Sequence, residues 1–71
     1  MRKWVSESDG EPNKRFVIEE EDEVGFYLYV FTGDKCANDY LQDTFDLAVE
    51  QAEEDFGVSR EAWELVSQST P

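Results

Sequence analysis

Residues 16–31 read FVIEEEDEVGFYLYVF: two runs of β-branched and aromatic residues separated by five consecutive carboxylates, Glu19 to Glu23. Runs of that composition favour strands, and a hairpin is the simplest connection between two of them. Gly25 stands just beyond the carboxylates as the residue able to take a positive φ or form a bulge. The expected strands are 15–21 and 24–32. Side chains alternate along the second, so Phe26, Leu28 and Val30 line one side while Tyr27, Tyr29 and Phe31 line the other. Apolar residues on both sides point to a central strand. At a hairpin tip the carboxylates cost little, and they deter edge-to-edge pairing of two aggregation-prone strands.

Outward from the hairpin, residues 2–6 read as a further strand anchored on Trp4, and Ser8 to Asn13 as a loop of turn-forming residues. Downstream, Thr32-Gly33-Asp34-Lys35 is turn chemistry, and Cys36 to Gln42 reads as an irregular or briefly extended connection. A helix is expected over 43–56, with Asp43 as N-cap, Asp46 in the first turn and Gly57 just past the end. Phe45, Ala48, Val49, Ala52 and Phe56 recur at spacings of three and four and form one apolar stripe for the sheet. Asp46, Glu50, Glu53 and Glu54 lie off it, and the helix has no lysine or arginine to pair with them. Val58 folds back, and 62–66 form a short last strand or a second short helix capped by Ser59. Residues 67–71 are expected to fray. The fold expected is α+β: one small domain over 1–71, a small antiparallel sheet of three or four strands with one helix packed on one face.

The chain is 71 residues long, near the lower limit for a core without metals or disulfides, and its 14% aromatic content supplies the large side chains such a core needs. Eighteen acids against six bases give a net charge of −12. A field of that sign repels phosphate backbones and anionic lipid, so neither nucleic acid nor membrane is an expected partner, whereas a basic protein is. No segment approaches the roughly 20 apolar residues that span a bilayer. Trp4-Val5 is followed at once by Ser6-Glu7-Ser8-Asp9, which leaves no apolar stretch of a signal peptide. With Cys36 as the single cysteine, no internal disulfide forms, and a cytoplasmic location follows.

There is no histidine, which removes the Ser-His and Cys-His nucleophile pairs and the mixed thiol-imidazole zinc sites. EEEDEVG and GDKCAND both lack the ligand order of a calcium loop, and the four glycines are too scattered to cradle phosphate. No catalytic residue, metal or cofactor is expected, and the chain is not read as an enzyme.

Two surfaces stand out. Tyr27, Tyr29 and Phe31 would stack bases on an RNA-binding sheet, but basic side chains are too few to hold the phosphates. On an open sheet they suit a protein interface or a homodimer; the alternative is that Trp4, Trp63 and the loop beyond Phe31 cover them as a second small core. The other surface is acidic: Glu19 to Glu23, and Asp46, Glu50, Glu53, Glu54 and Asp55 along the helix. Carboxylates on a small scaffold can imitate nucleic-acid phosphates and occupy a cationic groove, as inhibitors and immunity-type proteins do; alternatively they only keep the chain soluble. The chain looks like the many short bacterial proteins that combine a β-hairpin, a helix of the DTFDLAVEQAEEDFG type and a late tryptophan, a likeness that implies no activity. The expected function is a non-enzymatic acidic protein-binding or accessory module acting on a basic partner, with a structural homodimer or small subunit as the alternative.

Overall fold

A computed structural model describes residues 2–8 and 14–68. Five antiparallel strands form one sheet: β1 (Arg2–Ser8), β2 (Lys14–Glu21), β3 (Gly25–Thr32), β4 (Lys35–Gln42) and β5 (Glu64–Gln68), in the spatial order β4-β3-β2-β1-β5. Among the described residues the single α-helix, α1 (Phe45–Phe56), lies between β4 and β5 in the chain, so it leads from one edge of the sheet to the other across one face. This is the α+β architecture expected, with one strand more. The expected loop at residues 9–13 lies outside the described residues.

The hairpin that opened the sequence forms as its pattern demands. β2 and β3 pair from Lys14↔Thr32 to Glu21↔Gly25. The carboxylates close it: the Val24 amide donates to the Glu21 carbonyl at 3.3 Å, and Glu23 takes a φ of 67°. Gly25 has a φ of 137°, and a Cβ there would run into the Gln42 carbonyl oxygen, because β3 starts against the end of β4. Only glycine satisfies both demands.

Two local expectations change, and one alternative is decided. Cys36 to Gln42 is not an irregular connection but most of β4, paired along β3 from Thr32↔Lys35 to Phe26↔Gln42 with a register shift between Val30 and Phe31. It is an edge strand with mostly exposed side chains, so it needs no apolar alternation, the signal by which a strand is normally read. The helix starts two residues later than expected, and its N-cap is Thr44 rather than Asp43: the Thr44 hydroxyl accepts from the Leu47 amide at 3.1 Å. Starting there puts Phe45 on the sheet side, its ring centroid 4.3 Å from that of Trp4. Finally, Ser59 caps only a single 3-10 turn, Arg60–Ala62, and the chain then extends as β5. Of the two readings of 62–66 the strand is the one formed. It continues to Gln68, which pairs with Arg2, while residues 69–71 lie outside the described residues.

The core lies between α1 and the sheet. Phe16 and Ile18 of β2 and Leu28 and Val30 of β3 meet Ala48, Val49 and Ala52 of the helix, with Val58 folded back beneath it. The small residues of the helix stripe let its backbone approach, and aromatic rings fill both ends: Trp4, Phe26 and Phe45 at one, Phe16, Tyr40 and Phe56 at the other. The helix ends at Gly57 (φ 73°), whose amide donates to the Glu53 carbonyl at 3.0 Å. Arg2 ties β1 to β2 through paired contacts to Glu20, its Nε and its second nitrogen each 3.1 Å from a carboxylate oxygen. That hydrogen bonding holds the Glu20 carboxyl below its ordinary range. Among the described residues no helix is long and apolar enough to cross a membrane.

Candidate protein-binding surfaces

Cross-strand register places the residues of the uncovered sheet face in three rows. The middle row is Val5, Val17, Tyr29 and Asp39 on β1 to β4. To one side lie Lys3, Glu19, Tyr27 and Leu41; to the other lie Glu7, Arg15, Phe31 and Cys36. Tyr27, Tyr29 and Phe31 therefore fall on the face away from the helix. Trp4 and Trp63 do not cover them, since both tryptophans pack against the core on the helix side.

The three aromatic side chains are half-buried and form a ladder along β3. Tyr27 and Tyr29 stack with centroids 5.7 Å apart and 19° between ring planes, and the Phe31 ring follows at 6.4 Å. The Arg15 guanidinium sits 5.1 Å from the Phe31 centroid, a cation–π contact that flattens its side chain onto the face. Beside the ladder is a hollow of about 290 Å³ lined by Val5, Val17, Tyr29, Phe31 and Val66, with Lys3, Arg15 and Glu19 at its margins. Val17 is only 4% exposed although, among the described residues, no second layer lies above it; Tyr29, Phe31, Arg15 and Val66 stand around it. That desolvation raises the Tyr29 phenol above its ordinary pKa, and the charges of Glu19, Glu21 and Asp39 and the neighbouring Tyr27 push the same way.

The acidic surface is on the opposite side of the molecule. Asp46, Glu50, Glu53 and Glu54 are all exposed on α1, turned away from buried Ala48, Val49 and Ala52. One cation reaches them: Arg60, from the 3-10 turn, lies 3.7 Å from Asp46 with both side chains largely in water. A contact of that kind contributes little. Leu47 is exposed as well, an apolar residue at the edge of the carboxylate face, one position after Asp46 and three before Glu50. Helical spacing alone sets it off the apolar stripe, so this signal is present in the sequence.

The chain matches no known family model, no curated protein and no solved structure.

The carboxylates of the hairpin sit elsewhere again. Glu20 to Glu23 border a shallow hollow of about 320 Å³ with Val24, Gly25, Phe26 and Asp43, at the end of the sheet near the start of α1. Among the described residues, no three acidic or cysteine side chains are gathered as ligands of one metal ion. Cys36 is a free, exposed thiol on β4 whose sulfur lies 3.4 Å from the Asn38 carbonyl oxygen. The aromatic ladder and the helix carboxylates thus fall on opposite sides of the sheet, while Glu19 of the hairpin run lies on the aromatic face beside Tyr27.

Proposed function

We propose that this chain is a non-enzymatic binding module of the cytoplasm that engages a basic protein through the outer face of α1, in the manner of an inhibitor or immunity-type protein. The observation that carries it is the exposed set Asp46, Glu50, Glu53 and Glu54 on a helix pinned to the sheet by its other face. A rigid helix presents those carboxylates at fixed spacing, so a cationic groove meets them without ordering a loop. Leu47 adds exposed apolar contact area at the edge of the charged face.

Affinity capture on the immobilised chain at low salt, followed by mass spectrometry, tests this directly. A basic protein should be retained by the native chain, released as ionic strength rises, and lost from a variant carrying Glu50→Lys and Glu54→Lys together. Retention that ignores both salt and charge reversal would sink the electrostatic mechanism.

A second reading is supported by the aromatic ladder: a structural homodimer held through the sheet face. It needs no basic partner, and it leaves the acidic helix outside the contact.

A further inference from the structure

On the uncovered face, four charged residues of β1 and β2 are arranged symmetrically about the middle row, with Glu21 lying beyond them on β2. Arg15 and Glu19 lie two residues either side of Val17 on β2, and Glu7 and Lys3 lie two residues either side of Val5 on β1. On β3, Phe31 and Tyr27 lie two residues either side of Tyr29. We propose that this face binds a second copy of the chain, sheet on sheet, about a two-fold axis that runs across the strands through Val5, Val17 and Tyr29. The proposal rests on the homodimer reading above and adds its symmetry.

A half-turn about that axis lays each row on the row opposite. Arg15 then meets Glu19 of the second copy, Lys3 meets Glu7, and Tyr27 meets Phe31, each contact occurring twice. Val17 meets Val17 and Tyr29 meets Tyr29 on the axis. The other in-plane two-fold, running along β2, would set Glu19 on Glu19 and Arg15 on Arg15, which is why the transverse axis is the one chosen. Packed sheets cross at roughly 30°; Asp39 and Glu64, at the two ends of the middle row on the edge strands, face their own copies across the axis at the wet rim, a like-charge contact that weakens the dimer. The aliphatic stems of Lys3 and Arg15 border the hollow above Val17 and fill it on their way to the opposite carboxylates.

Size sets the strength. Four strands about 4.8 Å apart and five residues rising about 3.3 Å each give a face roughly 19 by 17 Å, smaller than a standard specific interface. The dimer is therefore a weak one that forms with rising protein concentration, and the charge of −12 on each copy favours it at moderate rather than very low salt.

The test is a charge swap read by sedimentation velocity over a range of protein concentrations, with circular dichroism confirming that each variant is folded. The native chain should pass from monomer to dimer. Arg15→Glu should shift that transition at least about tenfold upward in concentration, since it places two carboxylates together, a cost of order 1.4 kcal/mol or more. Glu19→Arg should do the same by bringing two cations together. The double variant Arg15→Glu with Glu19→Arg should recover native behaviour, because the two-fold restores both pairs with their signs exchanged. Dimerisation that survives both single changes, or a double variant that does not recover, overturns the axis while leaving the homodimer reading in place. A native chain that stays monomeric at every concentration and salt overturns both, and assigns the face to a heterologous protein or an amphipathic ligand.

Discussion

β3 has two sides made from alternate residues of one eight-residue strand, and they are buried in different ways. Leu28 and Val30 point to α1 and are sealed by a second layer, at 0% and 2% exposure. Tyr27, Tyr29 and Phe31 point the other way and are half-buried by one another and by the long side chains of β2. On the helix side, apolar area is removed from water by folding itself. On the open side folding removes only part of it, and the remainder is free to be removed by association.

Breaking the helix side should therefore cost the most. Leu28→Ala leaves a cavity among residues that cannot collapse, and a loss of about 3 kcal/mol is expected from denaturant titration, a large part of the whole stability of so small a domain. Tyr29→Ala removes a larger side chain but should cost less, about 1 to 2 kcal/mol, while abolishing concentration-dependent dimerisation. If Tyr29→Ala destabilises the monomer as much as Leu28→Ala, the open face is a second core and not an interface.

The smallest effect concerns protons. Because burial raises the Tyr29 phenol above the 10.0 of an unperturbed tyrosine, the neutral form is favoured in the folded state. Its contribution to stability is complete below the unfolded value and is lost as pH rises through the higher folded one. Absorbance titration of the native chain against Tyr29→Phe should assign to Tyr29 an ionisation on the alkaline side of the ordinary range, and the variant should lose less stability at alkaline pH. An ionisation at the ordinary value would mean that the face is fully hydrated.

Much of this was legible in the amino-acid order. The central hairpin, the apolar stripe of α1, Gly25 and Gly57 each carry a local signal whose cause survives in the folded chain. β4 was not legible from its composition, because Lys35, Ala37, Asn38 and Asp39 are poor strand formers held in place by pairing to β3 alone. A hint was available in its connection: Gly33-Asp34 is a two-residue hairpin turn, and such a turn implies a strand on both sides. Asp43 and Thr44 are both good caps, and the packing of Phe45 on Trp4, a contact between residues far apart in the chain, selects Thr44. The symmetric charges of the open face depend on the register between β1 and β2, which no local pattern specifies, so Lys3, Glu7 and Arg15 could not be grouped beforehand.

Tryptophan 63 adds a smaller lesson of the same kind. Its indole nitrogen is buried and has no hydrogen-bond partner among the described residues, a cost accepted where the ring fills space beside the core.

The position of β5 also shapes how the chain reaches this structure. β1 is an interior strand only because Glu64–Gln68, from the far end of the described chain, pairs with it. During synthesis the four-stranded meander can form early from neighbouring segments, with β1 as an open edge. The pairing of Arg2 with Gln68 joins the two ends of the described chain and waits on β5, which is made after α1. The sheet is thus completed by β5, and a nascent chain exposes β1 to other strands until β5 arrives.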